Sequence, residues 1–144
     1  MRRNTALIPL VLTALVAAGC GGGADQRAQV RATVVAYGNA VAAKDYATIC
    51  KSLLAPNLLQ PMASINLPCK TALSRALGGV KKPTMTVGTV KVTGQSAIAS
   101  VHTTAANQQP ADTTLGLVKV GSGWRIASLA GAVTTSPATG TTSK

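Results

Sequence analysis

Acidic side chains are nearly missing from this 144-residue chain: Asp25, Asp45 and Asp112 are its only carboxylates, and it has no glutamate. It has no phenylalanine, one tryptophan (Trp124), two tyrosines (Tyr37 and Tyr46) and one histidine (His102). Each shortage narrows what the chain can do. General acid–base catalysis needs a titratable group within hydrogen-bond reach of the reacting atom. Asp25 stands at the start of the folded region, Asp45 reads as a helix cap and Asp112 as a loop edge, which leaves no carboxylate for a strand interior. The many serines and threonines therefore lack the assignable histidine and acid of a catalytic triad. Without phenylalanine the core must be valine, leucine and alanine, which bury less apolar area per residue than aromatic rings do.

What is present begins with the first twenty residues. Arg2 and Arg3 make a positive n-region, Ala6 to Ala18 an apolar stretch containing Pro9, and Ala17-Ala18-Gly19-Cys20 a small-residue cleavage site ending in cysteine. The pattern resembles the lipobox of bacterial lipoproteins, with Ala17 where leucine or valine is commoner. It implies a signal peptide over residues 1–19 and acylation of Cys20, palmitate among the chains, with the protein at the cell membrane on its extracytoplasmic face. Two or more acyl chains hold stably where one holds only reversibly. The apolar run is shorter than the ~20 residues a spanning helix needs. The residues after Arg2-Arg3 do not match a twin-arginine signal. Gly21-Gly22-Gly23 reads as part of a flexible leash over residues 20–24, and not as a phosphate loop, since no strand precedes it.

The remaining chain, 20–144, is the size of one domain. Losing Arg2 and Arg3 lowers the formal charge from +11 to +9. Such a surface favours anionic neighbours, and the envelope's anionic lipid surface is the expected partner, at about 1 kcal/mol per basic residue near it. Nucleic acid, the other usual partner of a basic chain, is not expected: export separates the two, and Lys81-Lys82 is the only adjacent basic pair after the leader.

With Cys20 acylated, Cys50 and Cys69 remain, and two cysteines allow one pairing. A disulfide is the default outside the cytoplasm. Two cysteines and His102 fall short of the four ligands of structural zinc, so no metal or other cofactor is expected.

The apolar period changes once, near Gly78-Gly79. Before it, Val30, Val34, Tyr37 and Val41 mark one face of a helix over about Ala24 to Ala43. Asp45 is placed to cap a second helix carrying Ile49, Cys50, Leu53 and Leu54 inward until Pro56. A third is expected from about Pro68, with Cys69, Leu73 and Leu77 on one face, stopping at Gly78-Gly79. A Cys50–Cys69 bridge would then staple the second helix to the third. After Lys82 the sequence predicts four strands, at about Thr84–Val92, Ser96–Thr104, Thr113–Val120 and Trp124–Leu129, with a glycine turn at Gly121-Ser122-Gly123 and a polar loop over Ala105 to Asp112. Residues 131–144 offer nothing to bury and read as a disordered tail.

Three helices followed by an antiparallel sheet make an α+β arrangement with a helix layer on one sheet face. The Val34-Val35-Ala36-Tyr37 helix, the Lys44-Asp45-Tyr46 junction, the Cys50…Leu53-Leu54 segment and the closing Gly121-Ser122-Gly123-Trp124-Arg125-Ile126 hairpin resemble the NTF2-like superfamily, in particular its small exported actinobacterial lipoproteins. The resemblance covers about residues 25–130 and implies a curved sheet of about four strands wrapping a long helix around a conical pocket. Relatives use that pocket for catalysis, binding or docking, so fold does not fix function. The expected function is non-enzymatic: a small apolar ligand or another exported protein is bound. The alternatives are an envelope enzyme of ketosteroid-isomerase type with Tyr37 and His102 in its pocket, and a structural spacer with a filled cone. Ala97, Ala99 and Val101 form the more apolar strand face, opposite Ile98, Ser100 and His102, and Tyr46 and Trp124 read as packing residues.

Overall fold

The structure, a computed structural model, describes residues 22–129. The signal peptide 1–19, Cys20 and the tail 131–144 lie outside the described residues. Helix α1, Gly22–Ala42, buries Val30, Val34, Tyr37 and Ala40 at steps of one helical turn. Val41 is half-buried beside them. The helix starts earlier than expected: Gly22, Gly23 and Ala24 form its first turn instead of a leash. Asp25 in that turn favours the helix N-terminus electrostatically, which offsets part of the ~1 kcal/mol propensity cost of each glycine.

Asp45 caps the next turn, α2 (Tyr46–Thr48), as expected: its carboxylate accepts from the Thr48 backbone N–H at 3.1 Å and from the Thr48 hydroxyl at 2.6 Å. Those bonds, the hydroxyl one first, hold its carboxyl below the ordinary value of 3.8. A lowered folded-state value means that the cap stabilises above pH 3.8 and that this contribution fades as the pH falls through the lowered value. Asp45→Ala is therefore expected to melt below wild type at pH 7, with the gap shrinking below pH 3.8; a gap unchanged at pH 3 would refute the cap's ionic character.

The expected second α-helix is instead that single turn followed by a π-helical segment, Ile49–Leu53, in which the Leu54 N–H bonds back to Ile49 C=O at 3.0 Å. The wider turn buries Ile49, Leu53 and Leu54 together. The chain then extends through Leu54 and Ala55, where the Ala55 N–H donates to Ile126 C=O at 2.8 Å. A second correction follows: there are four helices, not three. Pro56, expected to end the second helix, instead opens α3, Pro56–Ser64, at a position where its missing N–H costs nothing. Helix α4, Cys69–Leu77, buries Leu73. The Cys50–Cys69 disulfide forms as expected, with Cα atoms 6.0 Å apart, and it ties the π-helical segment, not an α-helix, to the start of α4. Among the described residues no helix is long and apolar enough to cross a membrane.

Strands β1 (Thr84–Thr93), β2 (Ser96–Ala105), β3 (Gln108–Val120) and β4 (Gly123–Leu129) form one antiparallel meander in chain order. Gly121, at φ 61°, supplies the left-handed conformation of the last hairpin turn. The polar loop expected over Ala105 to Asp112 shrinks to a turn at Ala106 and Asn107, and the rest is strand. Pro110 is tolerated there because β4 pairs only with Leu115–Val120, so that end of β3 is an edge. Each strand pair carries an irregularity, at Val87/Val90, Thr103/Ala105 and Gly116/Leu117, and such bulges bend the sheet. Its inner face presents Ala97, Ala99, Val101, Leu115, Leu117, Trp124 and Ile126 to the core.

Helix α1 lies on that face over β1. The Arg31 guanidinium donates to Val87 C=O (2.8 Å) and Gly88 C=O (2.7 Å), satisfying carbonyls at the β1 bulge. Gly38 permits the approach, because a Cβ there would stand 2.9 Å from the Met85 Cβ.

Candidate functional site

The layers part at one end of the molecule. The C-terminal half of α1, the chain after α4 and the β2–β3 hairpin diverge there, leaving a cleft of about 210 Å³ lined by Tyr37, Val41, Leu77, Val80, Pro83 and Met85 with threonines and glutamines at its edge. Two of its threonines, Thr84 on β1 and Thr104 on β2, bond each other through their hydroxyls at 2.7 Å. Tyr37 sits where helical spacing puts it, nearly buried on the wall of the cleft. Its hydroxyl has no hydrogen-bond partner among the described residues, and burial raises its pKa above 10.0, so it is a neutral donor at any physiological pH.

His102 lies elsewhere. Strand alternation points Val101 into the core and His102 to the outer sheet face, where its Nδ1 stands 2.8 Å from Asp112 Oδ1. The two side chains are 47% and 87% exposed, which makes this a solvated surface pair of little energetic weight. The structure therefore does not bring Tyr37 and His102 together: the pocket expected around both is divided by the sheet itself. Tyr46 packs against the core and Trp124 lies within it; the Tyr46 hydroxyl and Trp124 Nε1 are buried without partners. No group of three His, Cys, Asp or Glu among the described residues is placed to hold a metal.

No family model matches the chain, and neither a curated protein nor a solved structure does. The site thus rests on its own geometry. Val80, Pro83 and Met85 were not singled out by their sequence pattern, and Leu77 was read only as part of a packing face of the third helix. The one usable signal was the change of period at Gly78-Gly79, which marks where the helical layer passes into the sheet.

Proposed function

We propose that this chain is a lipid-anchored, non-enzymatic protein of the cell envelope, held through Cys20 on the extracytoplasmic face, whose NTF2-like domain binds a small apolar ligand in the cleft beside Tyr37. The observation that carries this reading is an apolar cleft with one unpartnered, neutral hydroxyl on its wall. Few polar groups on largely apolar walls is the ordinary composition of a ligand site. At about 210 Å³ the cleft is smaller than the ~300–1,000 Å³ of most such sites, which favours a slender ligand. A spacer with a filled cone has no use for such a space. The NTF2-like assignment is supported by a long helix laid on a bent antiparallel sheet that opens at one end.

The test uses the mature chain 20–144 carrying Cys20→Ser, exported behind an ordinary signal peptide and titrated with N-phenyl-1-naphthylamine, a neutral apolar fluorophore. Saturable one-to-one binding is expected, with loss in Ala111→Trp, an exposed position on the cleft wall. Binding that does not saturate, or that ignores Ala111→Trp, refutes the cleft. The intact mass of the natural membrane-extracted protein should show the acyl chains on Cys20.

A further inference from the structure

We infer that the ligand of this cleft is a single apolar chain ending in an anionic head group, and that Lys81 and Lys82 hold the head at the rim; the inference rests on the cleft being a ligand site. Val80 and Pro83 both line the cleft, and the two residues between them, Lys81 and Lys82, are exposed. This rim is pinned in place. The Lys81 N–H donates to Asn107 Oδ1 at 3.1 Å, the Asn107 side-chain amide donates to Gly79 C=O at 3.0 Å, and the Ala106 N–H donates to Lys81 C=O at 2.8 Å. Lys82 itself is held at φ 48°, a left-handed conformation that turns the chain sharply before Pro83. A third cation lies at the same end: the Lys44 ammonium donates to Gly78 C=O at 3.0 Å.

Among the described residues no carboxylate forms an ion pair with Lys81 or Lys82. The Asp45 carboxylate is engaged by Thr48, Asp112 faces His102 on the outer sheet face, and Asp25 is in the first turn of α1, at the far end of that helix from the cleft. The one ion pair among the described residues is His102–Asp112. An apolar wall that ends in an uncompensated pair of ammonium groups complements an amphiphile of opposite head charge and repels a cationic one. Carboxylates and phosphates share that chemistry, and both lie within reach of flexible lysine side chains.

The experiment displaces N-phenyl-1-naphthylamine from the same Cys20→Ser mature chain with decanoate, decyl phosphate and decanol, which share a tail and differ in head. The anions are expected to bind roughly tenfold more tightly than decanol, as two exposed charge pairs allow. Lys81→Ala/Lys82→Ala should remove that preference while leaving decanol unchanged, and a preference for decanoate over decyl phosphate, or the reverse, identifies the head. Equal binding of all three overturns the anionic head and leaves the cleft intact, whereas a preference that survives the double substitution overturns the role of Lys81 and Lys82 in holding it. Failure of all three to displace the probe overturns both.

Discussion

Cys50→Ala/Cys69→Ala is expected to lose about 3 kcal/mol of stability, which lowers Tm by roughly 10 °C or more in a domain of this size. The bridge spans a sequence separation of 19, and the chain it encloses includes all of α3. That helix has no buried residue, carries Pro61 in its interior and touches the core through half-buried Leu58 and Leu59. Cutting the link releases the closed loop in the unfolded chain, and the freedom gained there is the source of the loss. Circular dichroism melts should show the same drop for wild type in reductant and for the double variant without it. Melts that coincide with oxidised wild type would mean that the helix layer holds α3 unaided.

Trp124→Ala should cost more still, about 3–5 kcal/mol, because the indole is the largest side chain in the core. Trp124→Phe separates area from polarity. It discards some ring surface and also removes the buried Nε1 donor that has no partner. An unsatisfied buried donor carries a penalty of about 1–3 kcal/mol, so the two changes oppose each other and the net loss should stay below about 1.5 kcal/mol. Urea unfolding followed by circular dichroism measures both variants. A phenylalanine as damaging as alanine would show that the N–H is satisfied in solution.

Much of this architecture was legible where one period ran unbroken. Val30, Val34 and Tyr37 repeat at helical steps, Ala97, Ala99 and Val101 alternate, and both sets are buried as that spacing requires. The cysteine pair was legible by elimination. Helix α3 was not, because Pro56 read as a stop, although proline is favourable at a helix start. The start of β3 was hidden by Gln108, Gln109 and Pro110, polar or ring-closed residues tolerated at an edge. The cleft was least legible of all. Its walls come from Tyr37, from Leu77 to Met85 and from Thr103 to Ala111, three stretches whose proximity depends on how the layers cross. Tyr37 and His102 are kept apart because the helix covers the apolar face of Ala97, Ala99 and Val101, whereas strand alternation turns His102 to the opposite face.

The early start of α1 also sets a height. Twenty-one helical residues at 1.5 Å each span about 30 Å, and the cleft opens beside the last of them, at Tyr37, Gly38 and Val41. Under the proposed acylation, the anchor at Cys20 stands two residues before the helix in the sequence. On that reading the helix, packed along the sheet, would set the cleft up to about a hydrocarbon-core thickness from the anchored end of the domain. An amphiphile would have to leave the membrane and cross water to reach it, which suits a station for handing such molecules onward better than one that gathers them from the leaflet below.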